Sequence, residues 1–558
     1  MNTSEFLNIS SLIVPDRIAI IFEGQKISYF DLLKRVHILA NSLNDIGLKP
    51  GDRIATIEVN TPAHIELYFA AAFLDLVYVP LNFRSTKEEL SHMLKDASPK
   101  IVFSGERYIS MVDSLKSDLN FIQDIYVLEG SYPGCLEYDS LLPSSNSDIE
   151  FDGQLSDMIP QSDGDDLTML MFTSGTTGFP KGVMLTHDSF SSYILSNVMP
   201  ADMEVEERNI LTVPLYHIAG VQAFMAAIYG GRTLIIQKQF NPEDWMELVQ
   251  TEKANRAMMV PTMLKMIVDH PQFDSYDLSS LEVITYGAAP MPIQVIRKAI
   301  EVLPNAHFIN AFGQTETAAT ITMLPPEDHI LKGSPDEIET KLNRLTSIGK
   351  PLPDVEVKIV DPTGEEVEVG DIGEIITKGD RLMKGYWNQE ESTSQVIKNG
   401  WLFTGDLGYI DEDGYIWIMS RTDDIINVAG HRLSTGAIEE VLAEHKDVAE
   451  CAVIGIADKL KGQLPIGLLA LKAGVTKEKK DIIDECVKMV REKVGPVAAF
   501  KLAIVVKRLP KTRSGKVLRG TVRKIADNEP YKMPATIDDP AILDEIKTDL
   551  IENKILKL

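Results

Sequence analysis

The segment Thr173-Ser174-Gly175-Thr176-Thr177-Gly178-Phe179-Pro180-Lys181-Gly182 is composed to wrap an anion. Its glycines let the backbone approach a phosphate closely and expose amide donors, while the hydroxyls and Lys181 add further donors and a positive charge. The chemistry such a loop serves is nucleotide binding. Its spacing departs from the P-loop of NTPases, in which Gly-Lys-Ser/Thr opens a helix; here Lys181 is followed by Gly182 and the apolar run Val183-Met184-Leu185. The loop is therefore expected to join two strands, with Leu167 to Phe172 entering and Thr186 or Asp188 capping a later helix. Taken alone, the same composition also makes an ordinary surface turn.

Three other residues could act on a nucleotide. Glu316 ends the run Asn310-Ala-Phe-Gly-Gln-Thr-Glu316, where a carboxylate could hold a hard cation or simply sit at a helix start. Asp406 closes a Thr-Gly-Asp triplet, a common turn composition. Lys516 lies in a glycine-containing loop near the end of a basic stretch, Arg491 to Lys524, which carries eleven Lys/Arg and the single acid Glu492. Such a patch suits an anionic small molecule, and equally a solvated basic face.

The chain that must position them has 558 residues and a net charge of −27, so it should form two or more domains and is poorly suited to nucleic acid or an anionic membrane. No apolar run is long enough to span a bilayer, and the N-terminus lacks a basic region followed by an apolar core, so the expected compartment is cytoplasmic. Cys135, Cys451 and Cys486 are far apart and odd in number, which argues against a disulfide framework or a zinc cluster.

Residues 17–80 alternate short apolar runs with amphipathic helical patterns, a βαβ rhythm. Strand, turn and helix recur through Asn209 to Gly220, Thr233 to Ile236 and Leu281 to Gly287, and ligands of such sheets collect at the carboxyl ends of the strands. From about Val355 short strands dominate, and near Arg421 to Asp424 the pattern changes to a small α+β unit with helices expected over Ser434 to Ala443 and Lys479 to Val494. The fold class is α/β: a large N-terminal domain of two βα-layered subdomains plus a small β-barrel-like subdomain, then a small mobile α+β C-terminal domain. The expected division is residues 1–422 and 423–558.

Five segments in order, Thr173 to Gly182, Asn310 to Glu316, Trp401-Leu-Phe-Thr-Gly-Asp406, Arg421 to Arg432 and Pro510 to Lys516, resemble the adenylate-forming superfamily of acyl-CoA synthetases, luciferases and peptide-synthetase adenylation domains. The resemblance covers essentially the whole chain. It implies an AMP-forming acid–thiol ligase that uses ATP, Mg²⁺ and coenzyme A: a carboxylate attacks the α-phosphate, pyrophosphate leaves, and a thiol captures the acyl-adenylate. It further implies that the loop, through Thr173, Ser174, Gly175, Thr176, Thr177, Gly178 and Lys181, holds the β/γ end of ATP. Glu316 would hold the metal, and Thr315 would contact the α-phosphate. Gly287, Ala288, Ala289, Phe312, Gly313 and Gln314 would line the nucleotide, and Asp406 with Arg421 would bind the ribose. Lys516 would be the catalytic lysine of adenylation. Asp423 stands at the hinge position, and Gly430 and His431 in the loop that would admit the pantetheine of CoA. By the same resemblance a lysine acyltransferase could silence Lys516 by removing its charge.

The acid is less legible. Acetate-type enzymes carry a tryptophan where this chain has Gly313, and losing an indole would open the acyl pocket, so an acid larger than propionate is expected: medium-chain, alicyclic or aromatic; a turn that requires glycine would explain Gly313 equally. His217 would line that pocket, or be an ordinary core histidine. The competing readings are a short-chain acid–CoA ligase, acyl transfer to a carrier protein, and an inactive nucleotide sensor.

Overall fold

The computed structural model describes residues 1–142, 160–173, 179–428, 431–458, 460–495, 498–512, 516–531, 533–534 and 537–556, with the backbone alone at 423, 431 and 432. Two large sheets build the N-terminal part. One runs in parallel through His307–Gln314, Val283–Gly287, Arg256–Met259, Arg208–Leu211, Thr233–Ile236 and Ile18–Phe22, with antiparallel strands at both edges. The other runs in parallel through Leu167–Thr173, Val77–Leu81, Arg53–Ile57, Ile101–Ser104 and Asp124–Val127, with Lys181–Thr186 added antiparallel. Central strands such as Val77–Leu81 are buried on both faces, as parallel strands covered by helices must be.

One sequence expectation is corrected. Residues 17–80 do not form a single βαβ run: Ile18–Phe22 pairs in parallel with Thr233–Ile236, in a different sheet from Arg53–Ile57 and Val77–Leu81. The apolar pattern marks a strand without naming its partner, and Ile20 and Ile21 are both buried, which requires a position between two layers.

The change of rhythm near Val355 corresponds to an antiparallel sheet of Glu356–Val360, Gly373–Lys378, Trp401–Ile410 and Ile397–Lys398, with Ile416–Arg421 also paired to Trp401–Ile410. Beyond it, Val448–Asp458 and Gly462–Leu471 form a long hairpin, to which Leu502–Val506 adds in parallel. The helices Thr435–Ala443, Lys479–Lys493, Arg519–Ala526 and Ala541–Glu552 belong to this small C-terminal domain. Ser434 caps the first of them through its hydroxyl, which accepts from the Ala437 amide at 3.2 Å. The basic stretch from Arg491 is less free than its composition suggests: Lys493 pairs with Glu444, Arg508 with Asp539 and Glu545, Lys511 with Glu450, and Arg519 with Glu439 and Asp424. Among the described residues no helix is long and apolar enough to cross a membrane.

A buried ion pair ties the N-terminal subdomains together. Arg381 is fully buried; its guanidinium donates to Asp354 at 2.8 Å and to the Thr320 carbonyl, and it lies 5.2 Å from the centre of the Tyr193 ring. Replacing Arg381 by leucine strands the Asp354 carboxylate without its cation. The expected cost is about 3–5 kcal/mol, read as a shift of the urea or thermal unfolding transition.

Candidate active site

The phosphate-loop segment is a hairpin connection, as its sequence requires. Thr173 pairs with Lys181 and Phe172 with Gly182, and the Thr173 hydroxyl donates to the Lys181 carbonyl at 3.5 Å. Thr186 closes the following strand and caps helix His187–Asn197 in a reciprocal pair with Ser189. Ser174, Gly175, Thr176, Thr177 and Gly178 lie outside the described residues. Lys181 reaches away from the ladder: its ammonium donates to the Ser392 hydroxyl at 3.2 Å and lies 4.9 Å from the centre of the Tyr386 ring.

Tyr386 links this lysine to the second candidate. Strand Gly385–Tyr386 pairs antiparallel with Lys181–Thr186, and the Tyr386 hydroxyl donates to Glu316 Oε1 at 2.9 Å. Burial, then the neighbouring Glu316 charge, push the Tyr386 phenol well above its ordinary pKa, so it remains a donor. Glu316 is carried by the 3₁₀ turn Thr315–Thr317, whose backbone is fixed by the Thr317 hydroxyl: it accepts from the Gln314 amide at 3.0 Å, and its single proton lies within reach of both the Ala319 carbonyl at 2.7 Å and the Gln314 carbonyl at 2.9 Å.

Ala318 and Ala319 follow this turn at φ 48° and 86°, and Ala288 stands at φ 65° after strand Val283–Gly287. Left-handed backbone costs a residue other than glycine about 1–3 kcal/mol and persists where surrounding structure imposes it, typically at functional sites. Gly287 lies so close to the Ala311 carbonyl that a Cβ would stand 2.1 Å from its oxygen. Ala289 is exposed beside it, and Phe312 packs half-buried against Ile348, Ile359, Leu352 and Val355.

Asp406 and Arg421 face each other across strands Trp401–Ile410 and Ile416–Arg421. Arg421 donates to Asp406 Oδ1 at 2.9 Å and to the Thr404 carbonyl at 3.2 Å. Burial raises the Asp406 pKa, and the Arg421 cation opposes that shift. Lys516, on the C-terminal domain, is within electrostatic range of this pair. Desolvation, then repulsion from Arg421, lower its pKa, while Asp424 and Asp406 act the other way. The residue as a whole is exposed, and its backbone amide donates to the Thr512 hydroxyl at 3.0 Å. Position 423 lies in the 3₁₀ turn Thr422–Asp424, next to Asp424, which Arg519 reaches at 3.5 Å. Arg519 also clamps Glu439 with two hydrogen bonds, at 2.9 and 2.7 Å. The hairpin Ile425–Val428 with His431–Ser434 follows, and Gly430 lies outside the described residues. Tyr386 thus touches Lys181 and Glu316 and lies within electrostatic range of Arg421, which pairs with Asp406 and is within range of Lys516.

The two acyl-pocket candidates are joined only indirectly among the described residues. His217 stands at the N-terminal boundary of helix Ile218–Tyr229 without a side-chain capping bond, lies tilted against Tyr216 at 4.3 Å, and is pushed down to about 4 by burial and then by Arg84, so it is neutral at pH 7. Gly313 is paired with Thr320, whose hydroxyl donates to Gln222 Oε1 of that helix at 3.4 Å. A Cβ at Gly313 would stand 1.5 Å from the Ala319 carbonyl oxygen, so the backbone itself demands glycine. Backbone clearance is therefore a sufficient reason for glycine at 313, beside the space an absent indole would leave. Sequence reasoning missed Tyr386, Ser392 and Gln222; the aromatic pair in Lys384-Gly385-Tyr386-Trp387 was the available signal for the first.

Comparison with known proteins identifies the family. The AMP-binding enzyme family matches residues 13–387, and the AMP-binding enzyme C-terminal domain matches residues 437–516. The chain is 30% identical to a feruloyl-CoA synthase from Amycolatopsis sp over 511 residues, 91% of this chain and 96% of the relative. It is 31% identical to a long-chain-fatty-acid–CoA ligase from Bacillus subtilis over 541 residues, 92% of each. The structure superposes on the amide bond synthetase McbA from Marinactinospora thermotolerans with a TM-score of 0.81 at 25% identity, covering 94% of this chain and 99% of that one. The chain belongs to the AMP-binding enzyme family, as an adenylate-forming ligase of the acyl-CoA synthetase type.

Proposed function

We propose that this protein activates a carboxylic acid larger than propionate and transfers it to coenzyme A, with Lys516, Asp406, Arg421, Glu316 and Lys181 as the residues that carry the reaction. The observation that bears most weight is the Asp406–Arg421 pair of the large domain, joined at 2.9 Å, with Lys516 of the C-terminal domain within electrostatic range of it. In the first step a substrate carboxylate oxygen bonds to the α-phosphorus of ATP and the bond to the pyrophosphate oxygen breaks. Two anions are brought together, so preorganised positive charge supplies the rate. Lys516 answers that need at the α-phosphate, and Lys181 holds the departing pyrophosphate. Asp406 accepts from the ribose hydroxyls and Arg421 orients it. Glu316 would hold a divalent cation such as Mg²⁺: Tyr386 fixes its Oε1, a hard cation bound with nucleotide takes few protein carboxylates, and it would supply charge neutralisation.

In the second step the thiol sulfur bonds to the acyl carbon and AMP leaves. This assigns a hinge to Asp423 and a pantetheine passage to Gly430 and His431, with the small domain turning between the two steps. Because Lys516 is exposed, an acyltransferase could reach it, and full adenylation activity after its acylation would refute control at this residue.

The relatives act on an aromatic acid and on fatty acids, as their names state, which supports a large acyl group. Gln222 sharpens the class. It is 7% exposed, its Oε1 meets Thr320, and its Nε2 has no hydrogen-bond partner among the described residues. A buried unpaired amide is costly, and an acyl group bearing an acceptor such as a hydroxyl, methoxy or carbonyl oxygen would relieve it. Such acids are expected to exceed their plain hydrocarbon analogues in kcat/KM by about tenfold, and Gln222→Leu should erase that preference. The functional test is a panel from acetate to decanoate with aromatic, alicyclic and oxygenated acids, scored for pyrophosphate release and for product with CoA, a holo-carrier protein or an amine. Acetate as the preferred acid, or product with carrier or amine alone, would overturn the proposal.

A further inference from the structure

The two sides of Lys181 are held by one face of a single helix, Lys87–Ala97. On the loop side, the Thr173–Lys181 rung is the last of the ladder among the described residues, and Phe179 and Pro180 lie beyond it without a strand partner among those residues. Here the His92 ring stacks on Phe179, with centroids 4.5 Å apart and planes at 22°, and His92 Nε2 lies 3.3 Å from the Pro180 carbonyl oxygen. Without that stack Phe179, already 49% exposed, would have its face in water. On the strand side, one helical turn further along, the Asp96 carbonyl accepts from the Trp387 indole at 3.0 Å, and Asp96 Oδ1 accepts from Asn388 at 3.2 Å. Trp387 in turn donates its backbone amide to the Gly182 carbonyl at 2.7 Å, and its neighbour Tyr386 lies under the Lys181 ammonium and bonds Glu316. Residues four apart share a helix face, so His92 and Asp96 grip the residues on both sides of Lys181.

We propose that His92 is a positioning residue for adenylation, fixing the outgoing foot of the phosphate loop so that Lys181 meets the β/γ end of ATP. The inference rests on reading that loop as the ATP site. His92 touches no substrate, and its effect is confined to the step in which pyrophosphate is held and released. The stack fixes the plane of Phe179 and the Nε2–H donor fixes the Pro180 carbonyl, so removing both lets Lys181 sample positions off the phosphate.

The test compares wild type with His92→Ala and His92→Phe in two assays: acid-dependent ATP–pyrophosphate exchange, and thioester formation from supplied acyl-adenylate and CoA. His92→Ala is expected to raise the KM for ATP about five- to tenfold with the KM for the acid unchanged, and to leave the thioester step within about twofold of wild type. His92→Phe keeps the ring and should recover most of the loss. An unchanged KM for ATP in His92→Ala, an equal loss in both half-reactions, or a rise in the KM for the acid instead would overturn the assignment. Absence of acid-dependent exchange in the wild type would overturn the ATP-site reading itself.

Discussion

Lys516→Ala is expected to lose acid-dependent ATP–pyrophosphate exchange by about 10²–10³ while thioester formation from supplied acyl-adenylate and CoA stays near the wild-type rate. The division follows from placement. Lys516 comes from the small C-terminal domain and lies within electrostatic range of the Asp406–Arg421 pair, so in this orientation its charge acts on whatever sits there. Thioester capture brings a thiol to an acyl carbon and needs no cation at the α-phosphate. The residue as a whole is exposed and donates no hydrogen bond to a described residue from its ammonium, so alanine should leave the fold intact. The sign of the pH dependence follows too. A lysine is charged below its pKa, and desolvation together with Arg421 lowers this one from 10.5. Exchange activity is therefore held at lower pH and lost as pH rises through a value below that of an ordinary lysine. The arginine variant, which stays charged, should remove this alkaline limb. Equal loss of both half-reactions in Lys516→Ala would refute the division of labour.

Glu316→Gln is the second large effect. The amide oxygen can still accept from the Tyr386 hydroxyl, so the 2.9 Å contact and the Thr315–Thr317 turn should survive. What is lost is negative charge where a divalent cation would be held. Exchange is expected to fall by about 10²–10³, with the Mg²⁺ concentration needed for half-activity rising. Tyr386→Phe separates charge from orientation: it keeps the carboxylate but frees it, and should give a smaller loss. A Glu316→Gln protein with wild-type exchange and Mg²⁺ dependence would remove Glu316 from the site.

What the sequence revealed and what it hid divide along physical lines. The hairpin foot of the phosphate loop was legible because the runs Leu167 to Phe172 and Val183 to Leu185 are local and strand-like. The partners of Lys181 were not, because Tyr386 and Ser392 lie some two hundred residues away and contacts at that separation leave no spacing signal. Ile18–Phe22 was read as a strand but not placed in its sheet for the same reason. The left-handed alanines Ala288, Ala318 and Ala319 were invisible, since composition points to glycine or asparagine for that backbone. Gly313 illustrates a different limit: pocket space and backbone clearance both ask for glycine, and only the Ala319 carbonyl shows that the second is sufficient. Likewise, counting the cations from Arg491 to Lys524 could not show that Arg508, Lys511 and Arg519 are paired with acids.

The most direct test of the central claim is a single-turnover experiment with the intact protein, ATP, Mg²⁺ and a preferred acid, quenched before and after CoA is added. Before CoA, one equivalent of acyl-adenylate per active site should form with one of pyrophosphate; after CoA, it should convert to acyl-CoA and AMP. ADP and phosphate as products, or an acyl-CoA that forms without a preceding acyl-adenylate, would contradict the account.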